Sequence, residues 1–385
     1  MSLDIFSGLR QYRQNHPTAA RRRAANLSLL CECLAVGETY DEDLPARLTA
    51  QAVDWRGLCW LAGAGLVTPS LAGALKRKGL FHHVPEEVQE HLQTLQSLNH
   101  ERNDTLRAQL IMITATLNKI SIYPLLLKGA ITLLPDQYPG AEDRVIGDLD
   151  LLVPDDQIDT ATEALIQIGY ELKDDGWQFV LPSHLKEHHH GFPLVHPTLP
   201  VKVELHRRIT HDQADDELLF KQRITAPFNF AEGVTVIVPD EATRLIHNML
   251  HCQISDRHRA KRVLNLRQLL EFAALSHHEA ASLDIAPLIN RLRPQRDKVL
   301  AEYWAQAEHW FKAPYPINLP RSTYEKQNLW LLTKVATHPG VYRLFATADW
   351  LGRLPKRLPN LWLKLWLMPG YFPVKIRAVL KGWSS

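Results

Sequence analysis

The sequence predicts an α+β fold: a β-sheet centre flanked by N-terminal and C-terminal helical lobes. Two observations predict the sheet. Leu125-Leu-Leu-Lys-Gly-Ala130 and Arg144-Val-Ile-Gly-Asp-Leu-Asp-Leu-Leu-Val153 read as two buried strands ending in polar residues. Val201-Lys-Val-Glu-Leu-His-Arg207 alternates, with Val201, Val203 and Leu205 on one face and Lys202, Glu204 and His206 on the other. A third observation predicts the lobes: apolar residues recur at helical spacing before about residue 120 and again beyond about residue 240. The expected division is 1–120, 121–240 and 241–385. A chain of 385 residues exceeds the usual size of a single hydrophobic core.

Composition narrows the function classes. At 45% apolar residues the chain can build sizeable cores, and a net charge of +2 makes no strong case for nucleic acid. Cys31, Cys33, Cys59 and Cys252 lack zinc-ligand spacing, so reduced thiols are expected. Residues 1–25 contain no apolar core of a secretory signal, and no run of about 18 uncharged apolar residues occurs. The expectation is a cytoplasmic protein.

In the N-terminal lobe, Ala19 to Leu34 is rich in Ala, Arg and Leu and reads as a helix. Arg21-Arg22-Arg23 is read as a solvated face, with RNA or lipid contact as the alternative. Asp54 to Lys78 carries Trp55, Leu58, Ala62 and Leu66 at helical spacing, with a break expected at Pro69. Pro85 to Ile120 predicts one long amphipathic helix or two. Leu92, Leu95 and Leu98 would share a face that Leu106, Leu110, Ile113 and Leu117 continue, and Pro85-Glu86-Glu87 suits a first turn.

The central segment carries the chemistry. At Lys128-Gly129 the chain can turn tightly and bring backbone N–H groups near a ligand. Residues two apart on a strand share a face, so Asp148 and Asp150 project together. Two adjacent carboxylates repel, and a divalent cation removes the conflict. If the Val201–Arg207 strand lies alongside, Glu204 joins them. Three carboxylates on adjacent strands suit two-metal phosphoryl transfer. Asp155 to Gly169 reads as a helix burying Ile158, Ala161, Leu165 and Ile168, with Gly169 near its C-cap. Strands are expected at Tyr170–Leu172, Gln178–Leu181 and Glu187–Val195. His184, His188, His189, His190 and His196 cluster before the Glu204 strand without paired zinc spacing, and are read as hairpin surface.

Lys128-Gly129, Arg144, Asp148-Leu-Asp-Leu-Leu-Val153 and Val203-Glu-Leu-His206 together resemble the nucleotidyltransferase superfamily of the DNA polymerase beta type. More narrowly they resemble the bacterial "nucleotidyltransferase family protein" group, over about Asp54 to Leu275. The resemblance implies a nucleotidyltransferase-fold mixed β-sheet and transfer of a nucleoside monophosphate from a nucleoside triphosphate to an acceptor hydroxyl or phosphate. It implies Mg²⁺, two ions, with Mn²⁺ as the alternative. Asp148, Asp150 and Glu204 would be the catalytic metal ligands. Lys128, Gly129, Arg144, Lys202 and His206 would meet the nucleotide, with a supporting role as the other reading of His206. The pair Gly129-Ala130 stands where Gly-Ser or Gly-Gly is usual. That difference favours a second reading, a non-catalytic nucleotide-binding or antitoxin-like partner protein on the same fold; the three carboxylates oppose it.

The C-terminal lobe begins at Pro239-Asp240-Glu241, with Asp240 as N-cap. Leu245, Met249 and Gln253 line one side of that helix. His247 and His251 are spaced i, i+4 without the zinc-protease Glu, and are read as core packing or substrate contact. Val263 to Leu275 predicts another helix, with Arg267 and Glu271 placed to pair across one turn. After Asp349 no acidic residue occurs. Seven Lys/Arg remain, and Trp350, Trp362, Trp366 and Trp383 lie among them. Residues 350–385 therefore predict either peripheral contact with an anionic membrane, at its inner face, or a basic-edged helix packed on the body.

Overall fold

The computed structural model describes residues 17–50, 53–140, 142–173, 191–210, 212, 215–216, 226–278, 292 and 296–352. Among the described residues, four helices come first: α1 Pro17–Leu34, α2 Leu44–Thr49, α3 Trp55–Ala64 and α4 Thr68–Arg77. Asp54 caps α3, its Oδ1 accepting from Gly57 N at 2.9 Å. The expected break at Pro69 falls earlier. Leu66 takes φ 56 and turns outward, and Pro69 instead opens α4, where a missing N–H costs nothing. Arg21 and Arg22 are exposed, but Arg23 is buried, so the arginine run is not one solvated face.

Helix α5 runs unbroken over Glu86–Lys119, 34 residues and about 50 Å. Its buried row is Leu92, Gln96, Asn99, Asn103, Leu106, Leu110, Ile113 and Leu117. The expected Leu95–Leu98 face is corrected: Leu98 is 54% exposed, and three amides take the inward places. They do so because a polar loop packs there. Asn99 Nδ2 donates to Glu142 O (2.6 Å) and Arg144 O (3.1 Å), and Asn103 Nδ2 to Arg144 O at 3.0 Å.

The sheet follows: β1 Leu125–Leu127, β2 Asp148–Leu152, helix α6 Ile158–Gln167, β3 Glu171–Leu172, β4 Leu194–Val195, β5 Lys202–His206, β6 Ala226–Ala231 and β7 Val234–Val238. The seven strands lie in the order β3-β4-β5-β2-β1-β7-β6. The sheet is mixed, as the resemblance implies: β1 pairs antiparallel with β2 and parallel with β7, and β2 pairs parallel with β5. Gly169, at φ 98, ends the α6 segment as expected of a C-cap glycine. Strands β6 and β7 are an addition to the sequence reading. They form a hairpin about Glu232-Gly233, with Gly233 at φ 69. Gln178–Leu181 and residues 187–190 lie outside the described residues, as do His184, His188, His189 and His190.

Helices α7 Glu241–Met249, α8 His258–Lys261, α9 Leu266–His278, α10 Arg296–Phe311, α11 Glu325–Thr337 and α12 Pro339–Gly352 complete the described chain, with a π-helical turn over Leu250–Ser255. Asp240 caps α7 as expected, accepting from Thr243 N at 2.7 Å. Two cores form. Leu106–Leu117 of α5, α6 and the sheet enclose one. The other joins α1, α3 and α4 to α7, α9 and α10 and includes Phe272, whose ring lies against Tyr303 (4.8 Å) and Trp304 (5.0 Å). The helices before and after the sheet thus bury their apolar faces on each other. Among the described residues, no single helix is long and apolar enough to cross a membrane.

Candidate active site

Parallel pairing of β2 with β5 sets Asp148 opposite Lys202 and Asp150 opposite Glu204. Because the strand period is two, all four side chains and His206 leave the sheet on one face. Leu149, Leu151, Val203 and Leu205 are buried on the other. The acidic pair expected from spacing alone is therefore built, and Glu204 joins it.

The three carboxylates sit in unequal surroundings. Asp150 is buried, and its Oδ1 accepts from Lys128 Nζ at 2.7 Å and meets His206 Nε2 at 2.7 Å. Burial alone would raise its pKa, but the Lys128 ammonium and His206 hold it well below the carboxylate range. Asp148 is half-exposed. Burial, then the Asp150 and Glu204 charges, push its pKa up, and Lys202 stands 3.7 Å away. Lys202 Nζ donates to Glu204 Oε1. Three carboxylates face two ammoniums along this edge, an excess of one carboxylate.

Those donors suit a divalent cation. Among the described residues, one group of His, Cys, Asp or Glu brings its donor atoms within 4.8 Å of one another: Asp150, Glu204 and His206. The set expected from the sequence contains Asp148 instead of His206. The difference arises because His206, fully buried, turns its Nε2 onto Asp150, while Asp148 lies at the rim. Carboxylate oxygens are the ligands Mg²⁺ prefers, and Asp148 is the next carboxylate on the same face.

Lys128 supplies the turn as well as the charge. At φ 51 it enters the left-handed region, and a 3-10 helix over Lys128–Leu133 follows. Gly129 sits beneath Arg144, whose guanidinium would lie 3.5 Å from a Cβ there. Ala130 is buried in the sheet's core.

Arg144 arrives on a clamped loop. Ser70 Oγ donates to Asp143 O (2.7 Å), Gln96 Nε2 to Asp143 Oδ1 (2.9 Å), and Arg77 pairs with Asp143 Oδ2 (2.6 Å). The Asp143 carboxylate comes so close to α4 that a Cβ on Gly73 would lie 2.1 Å from it, so only glycine fits. Arg144 itself is buried against Glu271, Nε to Oε2 at 2.8 Å. The expected Arg267–Glu271 pair is corrected by this contact: Glu271 turns to Arg144, and Arg267 donates to Val145 O at 2.9 Å.

A cleft of about 420 Å³ opens over these groups. Lys128, Gly129, Arg144, Asp148 and Glu204 form one wall. The other comes from the π turn, α8 and the start of α9, and includes His251, Asp256, His258, Arg267 and Gln268. Of these, sequence reasoning singled out His251 and Arg267, though not as members of a cleft wall. The backbone there departs from α-helix three times: the π turn, then Arg257 at φ 62 and Arg262 at φ 55. Such conformations persist where surrounding structure enforces them, often at functional sites.

His247 lies behind this wall, and burial lowers its pKa from 6.5 to about 3. The unfolded chain therefore takes up a proton first as pH falls from 6.5 towards 3, and the fold loses stability across that window. Between pH 6.5 and 5 this residue alone is expected to cost about 2 kcal/mol. Thermal melts at pH 7 and 5 should show a falling midpoint whose slope is flatter in His247→Gln. An unchanged slope in that variant would show that His247 is not the group responsible.

A family model described as "Uncharacterised nucleotidyltransferase" matches residues 51–312, more than half of the chain. The match starts near Asp54, where the motif-based resemblance begins, and runs past Leu275 to the end of α10. No curated protein matches the chain. The chain belongs to this nucleotidyltransferase family.

Proposed function

We propose that this family member binds a nucleoside triphosphate in the 420 Å³ cleft and transfers its nucleoside monophosphate to an acceptor, releasing pyrophosphate. The observation that carries the reading is the in-register β2–β5 pair, which sets Asp148, Asp150 and Glu204 on one face, with Lys128 on Asp150 and with Asp148, Glu204 and Arg144 lining the cleft. Asp148, Asp150 and Glu204 are the proposed holders of Mg²⁺ or Mn²⁺. A bound cation supplies charge neutralisation at the phosphoryl oxygens. Lys128 Nζ and the Gly129 backbone hold triphosphate oxygens, and Arg144, on the same wall, adds positive charge. Lys202 fixes Glu204 through Oε1, leaving Oε2 to take the acceptor's proton. The acceptor oxygen forms a bond to the α-phosphorus as the bond to the β-phosphate oxygen breaks, and that oxygen leaves with the electron pair. His206 orients Asp150 through their 2.7 Å contact.

Calorimetric titration with ATP, with and without Mg²⁺, tests the reading. Saturable ATP binding that strengthens with Mg²⁺ supports it, and no binding in either condition removes it. Ala130, buried where a hydroxyl is common, favours the non-catalytic alternative. ATP binding without release of pyrophosphate over a panel of acceptors would select that alternative. Lys128→Ala is expected to weaken ATP binding about tenfold, more than it weakens Mg²⁺ binding. If ATP affinity is unchanged, Lys128 serves Asp150 alone.

A further inference from the structure

Residues 353–385, most of the basic C-terminal segment, lie outside the described residues. Among the described residues, a cation without an ion pair stands in the cleft itself. Lys128, Arg144 and Arg267 all line that cleft. Lys128 is paired with Asp150, and Arg144 with Glu271. Arg267, the second residue of α9, forms no ion pair among the described residues. Its Nη1 donates to Val145 O at 2.9 Å, and its buried Nε has no hydrogen-bond partner there. Glu271, Asp148 and Asp256 act on it only at longer range.

The mismatch has a local cause. Glu271, one turn along α9, is taken by Arg144. A guanidinium cannot shed its proton to escape burial, so burial pushes the Arg267 pKa down without neutralising the group. The Val145 contact does little to offset this, because Val145 O already accepts from Arg144 Nη1 at 2.7 Å. The wall thus keeps an unmatched, partly desolvated charge, which a ligand can match. Paired phosphoryl oxygens accept two parallel N–H bonds from a guanidinium. Lys128 and Arg144 stand on the facing wall, so the cleft presents positive groups to both sides of a ligand. A phosphate chain carries charge along its length, and a lone carboxylate does not. Asn265, Gln268 and His258 add neutral polar groups beside Arg267. Burial lowers the His258 pKa to about 4, so it is neutral at pH 7.

We propose that Arg267 anchors a site for a phosphate chain on the far wall of the cleft. Resting on the nucleotidyl-transfer reading, the site holds the terminal phosphates of the nucleoside triphosphate, which leave as pyrophosphate. The carboxylates and their cation occupy the α-phosphorus end at the sheet edge, and Arg267, across the cleft, meets the other end. As the bond to the α-phosphorus breaks, the bridging oxygen keeps the electron pair. The Arg267 N–H groups neutralise part of the charge on the departing pyrophosphate.

Calorimetric titration of the full-length protein with inorganic tripolyphosphate, ATP and AMP tests this, with Mg²⁺ present throughout. Arg267→Met is expected to bind tripolyphosphate and ATP about tenfold more weakly than the wild type, and Arg267→Lys to recover part of the loss. AMP lacks the terminal phosphates and should bind wild type and variant alike. Unliganded Arg267→Met should melt at or above the wild-type temperature, since an unmatched charge has left the wall and Val145 O keeps Arg144. Tripolyphosphate should raise the melting temperature of the wild type more than that of the variant. Wild-type affinity for ATP and tripolyphosphate in Arg267→Met overturns the inference while the nucleotide reading stands. So does an AMP loss as large as the ATP loss. A lowered melting temperature with equal binding losses in the Met and Lys variants assigns Arg267 a structural role and also overturns it. A wild type that binds neither ATP nor tripolyphosphate removes both proposals. Tripolyphosphate held through Arg267 without ATP binding removes the nucleotide reading and leaves the phosphate site.

Discussion

Asp150→Asn is expected to abolish nucleotidyl transfer and destabilise the protein together. The substitution keeps the side-chain shape and removes the charge. Turnover should fall by roughly a thousandfold or more, because a metal-binding carboxylate at the reacting phosphate is worth several kcal/mol. Stability should fall by about 2–3 kcal/mol, since Lys128 then lacks its buried counter-ion and His206 its acceptor. Asp148→Asn separates the two effects. Asp148 is half-exposed with Lys202 at 3.7 Å, so this variant should lose turnover while unfolding within about 0.5 kcal/mol of the wild type. Transfer assays beside denaturant unfolding measure both. Near-normal transfer by Asp150→Asn would end the carboxylate assignment. The Asp150 contribution to stability is present above the ordinary carboxylate range and is lost as pH falls below about 4.

Glu271→Gln should be the most destabilising single change, at about 3–5 kcal/mol, although Glu271 carries no proposed chemistry. It leaves the Arg144 guanidinium buried without its carboxylate. Arg144→Met/Glu271→Met, which removes both charges and keeps bulk, should recover much of the loss. Urea unfolding reads the difference, and a wild-type midpoint for Glu271→Gln would show that the pair does not hold the loop. Arg144→Met should also weaken ATP binding beyond what Glu271→Gln does at equal folded fraction, which distinguishes its contact with the nucleotide from its structural role.

The carboxylate edge was legible because strand periodicity fixes which residues share a face. Asp148, Asp150, Glu204 and His206 could be placed together from spacing, given only that two strands were neighbours. The helix caps at Asp54 and Asp240 were local events of the same kind, and the second was foreseen. What stayed hidden depended on partners far along the chain. Gln96, Asn99 and Asn103 take inward places because the 142–144 loop is set against them, a partner no local spacing announces. Glu271 read as a partner for Arg267 one turn away, but a residue 127 positions distant wins it, because Arg144 is buried and needs the charge more. The β6–β7 hairpin had a visible signal, Phe228 to Val238 about Glu232-Gly233. The far cleft wall had almost none, since π turns and left-handed arginines follow from tertiary packing.

The shared helical core also constrains how the protein is made. Leu27, Leu30 and Leu34 of α1 lie in the same core as Leu300, Trp304 and Phe311 of α10. A ribosome that has just finished α1 must add some 270 more residues before that partner exists, roughly a quarter of a minute to a minute at ordinary elongation rates. Through that interval the nascent N-terminal helices can close on one another, but the parts of their apolar faces that meet α7, α9 and α10 stay uncovered. Newly made chains should therefore depend on holding chaperones until α10 emerges. Chains truncated before residue 296 should aggregate even though they carry every residue of the proposed active site.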